Sequence, residues 1–450
     1  MSSTHPDLAA LADALLHAAR RAGAGAADAL AVAGQSQSID IRAGKLEQAE
    51  RSEAVEIGLR VLIGGRQACV SASDVSPATV ERLAERAVAM AREAPEDPTA
   101  GLADPGQLAS GWDMDIYELQ DASPEPNAAM LEADARAAEA GAMAAQGITQ
   151  VEASAGYSAR SMYLAASNGF SGGYARTSRS ISAVAFTGEG TAMERDWSGE
   201  SRVFQADLPG ATGIGAEAAT RALSRAGAVK PRTGTFPVLF DERIAASLIG
   251  HLLSAVNGAA VARGASWLRD ALGAQVLPLH LSLIEDPHRP RISGSRPFDG
   301  EGLPTQRRAI VENGVLTGWT LDLASGRKLG MASTGNASRG TSAPPSPSSS
   351  NIDLTQGSLT RDDLIRDMGT GLLVTSMIGA TINPTTGDYS RGASGFWVEA
   401  GQISHPVNEC TIAGNLRDML MRIIPANDAR AHLSTRVPSL LIAGMTLAGS

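Results

Sequence analysis

The sequence predicts a mixed α+β fold, with an N-terminal helix and antiparallel-sheet region followed by a β-rich C-terminal domain. Residues 1–93 and 128–229 each show the order helix, strands, helix, and a segment rich in Pro, Asp, Gly and Ser separates them. After residue 230, short strand-like segments rich in glycine dominate. We therefore divide the chain into an N-terminal α+β unit (1–93), a linker (94–127), a second α+β unit (128–229) and a C-terminal domain (230–450).

The first unit begins with a predicted helix, because Leu and Ala recur at helical spacing from Leu8 to Ala27 and the segment ends in Gly-Ala-Gly. Four short segments between residues 28 and 63 alternate between apolar and polar positions or are apolar throughout. Turns at Gly44-Lys45 and Gly64-Gly65 punctuate them, which is typical of an antiparallel meander. A second amphipathic helix is predicted over Ala78–Arg92.

The second unit repeats this outline without a residue-level repeat. An alanine-rich helix is predicted over Ala128–Gln146, and four short strands follow between residues 151 and 187. Asn168-Gly169 predicts a two-residue hairpin turn, since both residues tolerate a positive φ. A helix over Gly213–Ala226 closes the unit.

The C-terminal domain opens with a β segment, Phe236–Phe240, that leads into an apolar-periodic helix over Asp241–Gly264. Residues 334–351 predict a long loop, because Pro, Gly and Ser are concentrated there. The other candidate strands are Leu279–Glu285, Arg307–Glu312, Val315–Asp322, Gly371–Met377, Gly395–Ala400, Gln402–Ser404 and Ser439–Thr446.

Composition narrows the classes of function. The 450-residue chain has a formal net charge of -10 and its Lys and Arg residues are scattered, which argues against a nucleic-acid or anionic-membrane partner. No apolar run approaches the length of a membrane span, and the first twenty residues do not resemble a signal peptide. Two cysteines, Cys69 and Cys410, are too few for a disulfide framework, so we expect a cytoplasmic protein.

His251 is a candidate functional residue because of its position on the helix predicted over Asp241–Gly264. A helical zinc site needs two imidazoles about one turn apart and a carboxylate beside the first of them to deprotonate a bound water. His251 has no such partner, and the seven histidines of the chain form no local pair with metal-ligand spacing. His251 is therefore either a core histidine or a ligand completed by distant residues.

Two polar stretches are further candidates. GDYSRGASGFW at residues 387–397 is interpreted as a glycine-punctuated loop entering an aromatic strand, where backbone amides could approach an extended partner or bond internally. GSRPFDGEG at residues 294–302 favours a structural ion-pair corner. The candidate lining residues of these stretches are Arg296, Asp299, Glu301, Asp388, Tyr389, Ser390, Arg391, Phe396 and Trp397.

Five segments in the same order carry a resemblance that covers essentially the whole chain. They are RAGKLEQAERSEAVEIGLRV at 42–61, ASWLRDALG at 265–273, SRPFDGEG at 295–302, TGDYSRGASGFWVEAGQISHPVNECTIAGNLRDM at 386–419 and PSLLIAGMTLAG at 438–449. With them the sequence resembles the TldD/PmbA family, in its PmbA (TldE) branch. The resemblance implies an α+β region followed by a β-rich domain, and a heterodimer with a TldD-type chain that encloses a peptide chamber.

In the TldD branch the corresponding helix carries HExxxH, and a cysteine near the C-terminus adds a zinc ligand. The same alignment places Ala246 at the first histidine, Ser247 at the glutamate and His251 at the second histidine. Cys410 lies in a different motif, and residues 425–437 contain no cysteine. The resemblance therefore implies no metal or cofactor and no catalytic residue in this chain, and zinc in its partner.

The resulting hypothesis is a non-catalytic subunit that pairs with a TldD-like zinc metallopeptidase and restricts the chamber to unfolded or short peptides. Leader segments of modified peptides and an unstructured antitoxin are examples of such substrates. The nine residues named above would line the chamber or the interface. Two alternatives stay open: a metallohydrolase active by itself through His251 and distant ligands, and a peptide-binding adaptor without an enzyme partner. A homodimer is a further alternative when the chain is isolated.

Overall fold

A single six-stranded antiparallel sheet organises the first half of the chain in the computed structural model, which describes residues 7–449 without the side chains at 380 and 381. The strand order is β3-β2-β1-β4-β5-β6. The strands are β1 (Ala26–Arg42), β2 (Lys45–Ile63), β3 (Arg66–Ala72), β4 (Ile148–Ala166), β5 (Ser171–Thr187) and β6 (Glu194–Arg202). The helices are α1 (Leu8–Ala22), α2 (Pro77–Glu93), α3 (Ala128–Met143) and α4 (Ala211–Ser224).

Both helix pairs cover the same face of this sheet. Successive side chains of a strand point to opposite faces, so the odd-numbered residues of β1 share one face. Ala29 and Ala31 pack in a core with α1 and α2, whereas Ile39 and Ile41 pack in a core with α3 and α4. The even-numbered residues of β1 therefore lie on the other face, toward the C-terminal half of the chain.

The C-terminal half contains a six-stranded sheet of order β16-β15-β14-β7-β19-β17, and a further pairing of β16 with β19 closes five of these strands into a ring. A five-stranded sheet has the order β10-β9-β8-β13-β18, and β11 pairs with β12. The strands are β7 (Gly234–Phe240), β8 (Leu283–Glu285), β9 (Arg308–Glu312), β10 (Val315–Leu316), β11 (Ala337–Ser338), β12 (Ser346–Pro347), β13 (Ile352–Leu354), β14 (Gly371–Ile382), β15 (Asp388–Glu399), β16 (Gln402–Asn415), β17 (Ile423–Pro425), β18 (Thr435–Arg436) and β19 (Leu440–Ala448). The helices are α5 (Glu242–Ala255), α6 (Gly258–Ala262), α7 (Leu323–Leu329), α8 (Arg361–Met368) and α9 (Leu416–Leu420).

The predicted mixed α+β fold is confirmed, and several local predictions are wrong. The four short strands expected between 151 and 187 are the two long strands β4 and β5, whose hairpin loop is centred on Asn168 and is not a two-residue turn at Asn168-Gly169. The helix expected over 241–264 is two helices, because the Asn257 side chain accepts hydrogen bonds from the amides of Ala259 and Ala260 and starts α6. The stretch 388–397, interpreted as a loop, belongs entirely to β15. The short strands expected between 28 and 63 are two long ones, joined by a turn in which Ala43 and Gly44 both have positive φ.

Strands from residues 1–93 and from residues 128–229 share one sheet, because β1 pairs with β4 along fifteen positions from Asp28↔Ala166 to Arg42↔Glu152. The division of the chain at these boundaries stays a prediction. Across residues 7–449, no helix is both long and apolar enough to cross a membrane.

The contact between α3 and α4 gives a first test of the fold. A Cβ added at Gly215 would lie 1.8 Å from the carbonyl oxygen of Ala138, whereas one added at Gly213 meets nothing within 4 Å. We expect Gly215→Ala to lower the free energy of unfolding by about 1–3 kcal/mol through overpacking. Gly213→Ala on the same helix should raise it by about 0.5–1 kcal/mol. Urea unfolding of both variants checks this, and equal midpoints would contradict the close helix contact.

Candidate functional site

Helix α5 is positioned by the apolar residues along one of its sides. Ala245, Leu248, Ile249 and Leu252 are buried in the core of the C-terminal half. Asp241 precedes the helix and its Oδ1 accepts a hydrogen bond from the amide of Arg243 at 3.2 Å, which satisfies one of the free N–H groups of the first turn. The packed side and the cap explain why this segment is helical, and Ala246, one of the positions that would carry a metal motif, also packs against this core.

The three predicted motif positions lie half-buried on α5. Ala246 offers no donor atom, and Ser247 Oγ is buried without a hydrogen-bond partner among the described residues. The ring of His251 packs edge-on against Tyr389, with 5.8 Å between the centroids, and its Nε2 is likewise buried and unpartnered within residues 7–449. Burial, and secondarily the charge of Arg391, lower the pKa of His251, so its imidazole is neutral at pH 7.

These residues do not fit a zinc site. Within the described part of the chain, no three or more His, Cys, Asp or Glu side chains come together in a group that could hold a metal ion. Cys410 donates its Sγ hydrogen to the carbonyl of Ala393 at 3.1 Å, and burial raises the pKa of this thiol to about 11. A protonated thiol is a poor metal ligand. The expectation that this chain carries no metal stays a prediction.

A charged network that the sequence did not predict surrounds the start of α5. Arg243 donates from Nη1 to Asp196 and from Nε to Asp241, both at 3.1 Å. Arg225 forms an ion pair with Asp196 at 3.5 Å and donates from Nη2 to Ser394 Oγ at 2.6 Å. The network therefore joins β6, α5 and β15, and its only signal in the sequence is the capping position of Asp241.

The acidic pair in the 294–302 segment is buried. Asp299 Oδ1 accepts from the amides of Glu301 and Leu303 at 2.9 and 3.0 Å, and its Oδ2 accepts from the amide of Ala337 at 2.9 Å. Burial raises the pKa of Asp299 against these hydrogen bonds. Glu301 Oε2 accepts from the amide of Leu323 at 2.8 Å, and burial together with Asp299 raises the pKa of Glu301 to about 8. Asp299 and Glu301 thus hold loops in place.

Arg296 of the same segment has different surroundings. Its Nη2 donates to the carbonyl of Ser348 at 2.9 Å, while its Nε has no partner among the described residues. Arg296 lines a cavity of about 410 Å³ between the large N-terminal sheet and loops of the C-terminal half. Of the candidate lining residues, Arg296 lines this cavity and Asp299 lines a smaller one beside it.

The candidates on β15 divide into core and surface residues. Tyr389 and Trp397 are buried, and Trp397 packs edge-on against Phe236 with 5.0 Å between the rings. Arg391 donates from Nε to the carbonyl of Gly379 at 2.7 Å. The exposed candidate is Asp388, and the half-buried ones are Ser390, Arg391 and Phe396. Tyr389 and Trp397 support the sheet and do not present a surface in this chain.

Models of one family match the chain in order. They are the PmbA/TldA metallopeptidase domain 1 over residues 27–91, the central domain over 111–226 and the C-terminal domain over 233–449. Metalloprotease PmbA of Escherichia coli O157:H7 is 37% identical over 418 residues, covering 92% of this chain and 90% of that protein. A metalloprotease PmbA homolog of Haemophilus influenzae is 35% identical over 424 residues, with 92% and 90% covered.

Solved structures agree along the whole chain. A protein of Bacteroides thetaiotaomicron, described as a proposed modulator of DNA gyrase, has a TM-score of 0.91 and 29% identity, and 98% of each chain is covered. TldE of Thermococcus kodakarensis has a TM-score of 0.83 over 97% of this chain and 99% of that one, and its 19% identity shows the fold alone. The fold and the three family models define a metallopeptidase-type scaffold. The chain belongs to the PmbA/TldD metallopeptidase family.

Glu301 gives a test of the buried acidic pair. Because its pKa is raised from an ordinary 4.5 to about 8, the folded chain holds a proton that the unfolded chain releases between these pH values. The free energy of unfolding should therefore fall as pH rises through this window, by up to about 1.4 kcal/mol per pH unit. Glu301→Gln keeps an acceptor for the Leu323 amide and should remove this contribution. The free energy of unfolding of the variant should therefore rise relative to that of the parent between pH 5 and pH 8.

Denaturant unfolding at a series of pH values measures the difference. Glu312→Gln, at an exposed position, controls for the loss of one acidic side chain. If Glu301→Gln and the parent followed parallel curves, Glu301 would not be protonated in the folded chain.

Proposed function

We propose that this chain is the non-catalytic subunit of a cytoplasmic peptidase complex. It pairs with a TldD-like zinc metallopeptidase, and the pair cleaves unfolded or short peptides such as leader segments or an unstructured antitoxin. The observation that carries the proposal is the donor set of α5: Ala246, Ser247 and His251 supply one imidazole, no carboxylate and no second imidazole.

The chemistry of peptide hydrolysis supports this assignment. A catalytic zinc needs three protein ligands and an open position, and a nearby carboxylate has to take the proton of the bound water. A serine hydroxyl in place of that carboxylate is no base at neutral pH. We therefore assign cleavage to the partner and no step of it to this chain, whose part is to complete the chamber and hold the peptide.

The contacts with the partner are proposed for the accessible part of β15 and its neighbour. Ile378 on β14 is 78% exposed and lies opposite Gly392, next to Arg391. By strand alternation the half-buried Ser390 lies on the same face of the sheet as this exposed isoleucine, and the two form a mixed apolar and polar patch of the kind that a protein partner covers. A peptide held against a free strand edge would use the same backbone hydrogen bonds as an added strand.

A second candidate function is a peptidase active by itself. It is favoured by the names of the two relatives with 37% and 35% identity, both called metalloproteases. In that case His251 would have to be joined by ligands from other parts of the fold. A peptide-binding adaptor, or a homodimer without TldD, would instead show binding and no cleavage.

The partnership is tested by mixing the purified chain with a TldD-like metallopeptidase and an unstructured peptide. We expect co-elution of the two proteins, cleavage by the mixture alone, and unchanged cleavage when His251→Ala replaces the parent chain. His280→Ala, at an exposed position, is the matched control. Hydrolysis by this chain without the partner, together with stoichiometric zinc that is lost in His251→Ala, would establish the second candidate.

A further inference from the structure

The cavity beside Arg296 has a charge pattern that the proposed function does not use. It measures about 410 Å³ and lies between the face of the N-terminal sheet that carries the even-numbered residues of β1 and loops of the C-terminal half. Four arginines line it, and no Asp or Glu is among its lining residues in the described part of the chain. The arginines are Arg160, Arg176, Arg296 and Arg339.

The sheet supplies an apolar floor and two of the cations. Val32, Met162 and Tyr174 lie directly opposite one another on β1, β4 and β5. Two residues further along, Arg160 lies directly opposite Arg176. Like charges in this arrangement repel and destabilise a strand pair. Arg160 is exposed, and its side chain forms no hydrogen bond or ion pair within residues 7–449.

The C-terminal half supplies the other two cations, and both have unused donors. The side chain of Arg339 is 1% exposed, and its Nη1 pairs with Asp28. Its Nη2 is buried and has no hydrogen-bond partner in the described part of the chain. Arg296 Nε is in the same condition. Asp28 also pairs with Arg60 at 2.5 Å, so a single carboxylate serves two guanidinium groups.

The neighbouring cavity shows that unpaired arginines are not general on this face. That cavity measures about 390 Å³ and shares Ser293 and Ser434 with the first one, so the two continue one another. There Arg202 and Arg430 both bind Glu200, at 2.7 and 2.8 Å. Arg291, the third arginine of this second cavity, is paired with Glu118 at 2.7 Å, so each of its arginines has a carboxylate partner.

We propose that the first cavity binds a carboxylate group of a peptide, with Arg160, Arg296 and Arg339 as its cationic donors. The planar guanidinium fork matches the two oxygens of a carboxylate. The apolar floor of Val32 and Met162 favours an organic anion over an inorganic one, because it can take up a side chain next to the carboxylate. The neighbouring cavity gives room for the preceding residues. The proposal rests on the proposed function in one respect, that the ligand is a peptide.

Calorimetric titration of the full-length chain with three short peptides of uncharged residues tests the site and separates the two sources of a carboxylate. The first peptide has a free C-terminus, the second is amidated, and the third is amidated and contains one Glu. We expect the first or the third to bind and the second to bind at least about tenfold more weakly, since hydrogen bonds between charged groups are lost. Binding of the first identifies a terminal carboxylate, and binding of the third a side-chain carboxylate.

Arg160→Gln is the main variant, because Arg160 has no partner to lose and the fold should be unaffected. We expect it to weaken carboxylate binding about tenfold, and Arg160→Glu to abolish it. Arg195→Gln is the matched control: Arg195 is also exposed, lies on β6 of the same sheet and lines neither cavity. The proposal is overturned if the second peptide binds as well as the others, if Arg160→Gln has no effect, or if no carboxylate peptide binds at millimolar concentration.

The outcome is distinguishable from that of the proposed function. Carboxylate binding that depends on Arg160, with no cleavage in the mixture with a TldD-like chain, would keep the site and remove the peptidase partnership. Cleavage by the mixture without any dependence on Arg160 would do the reverse.

Discussion

The structure depends on a buried carboxylate that joins its two halves. Asp28 lies on β1, in the centre of the N-terminal sheet, and accepts a hydrogen bond from Arg60 Nε on β2 at 2.7 Å. Arg339 from the C-terminal half pairs with its other oxygen. A lone carboxylate in this position would be very costly to bury, so each partner is needed to keep the others buried. The contact also requires Gly58, because a Cβ there would lie 2.2 Å from the carbonyl oxygen of Thr341.

The ion pairs of Asp28 hold the two halves of the chain together, but they do not fill the space between them. Asp299 fixes the 294–302 segment to β11 through the amide of Ala337, and Phe298 packs against Trp112 at 4.9 Å and Phe170 at 5.0 Å. Trp112 belongs to the segment that the sequence predicts to be a linker, so this segment packs across the junction. The cavities lined by Arg296 and Asp299 lie at the same junction and are lined in part by polar side chains. This explains how charged groups come to be retained in the interior of the junction.

Sequence analysis found those features that are encoded locally. The helices α1 to α4 follow from apolar periodicity, and their observed bounds differ from the predicted ones mainly at the ends. The sharing of one sheet by β1 and β4 could not be predicted, because it depends on pairing between residues more than a hundred positions apart. Strands as long as β1 and β4 were divided into shorter ones, since their buried residues are concentrated toward the two ends and the middle of each strand is partly exposed.

The same distinction between local and long-range information applies to the candidate sites. The positions on α5 were found because one motif on one helix contains them. Arg160 and Arg339 were missed, because only the fold brings them together. For the pair Arg160 and Arg176 a partial signal was present, because a hairpin was predicted near Asn168, from which both arginines lie eight residues away. The observed hairpin is centred on Asn168, with Ala165 opposite Ser171, whereas counting outward from the predicted two-residue turn would have placed Arg160 opposite Thr177, one position out of register.

Helix α5 shows how the proposed absence of a metal motif is compatible with the fold. Its stability comes from Leu248, Ile249 and Leu252 in the core, and Ala246 packs against the same core without supplying a donor atom. The resemblance to the TldD branch implies that Ala246 and Ser247 stand where that branch has an imidazole and a carboxylate, groups that would be expensive to bury without a metal. The remaining imidazole is buried in its neutral form against Tyr389, which costs far less than burying a charge. On the proposed assignment, the fold and the metal chemistry are therefore separable, and this chain keeps the fold of the family while its buried charged groups serve at the junction between its halves.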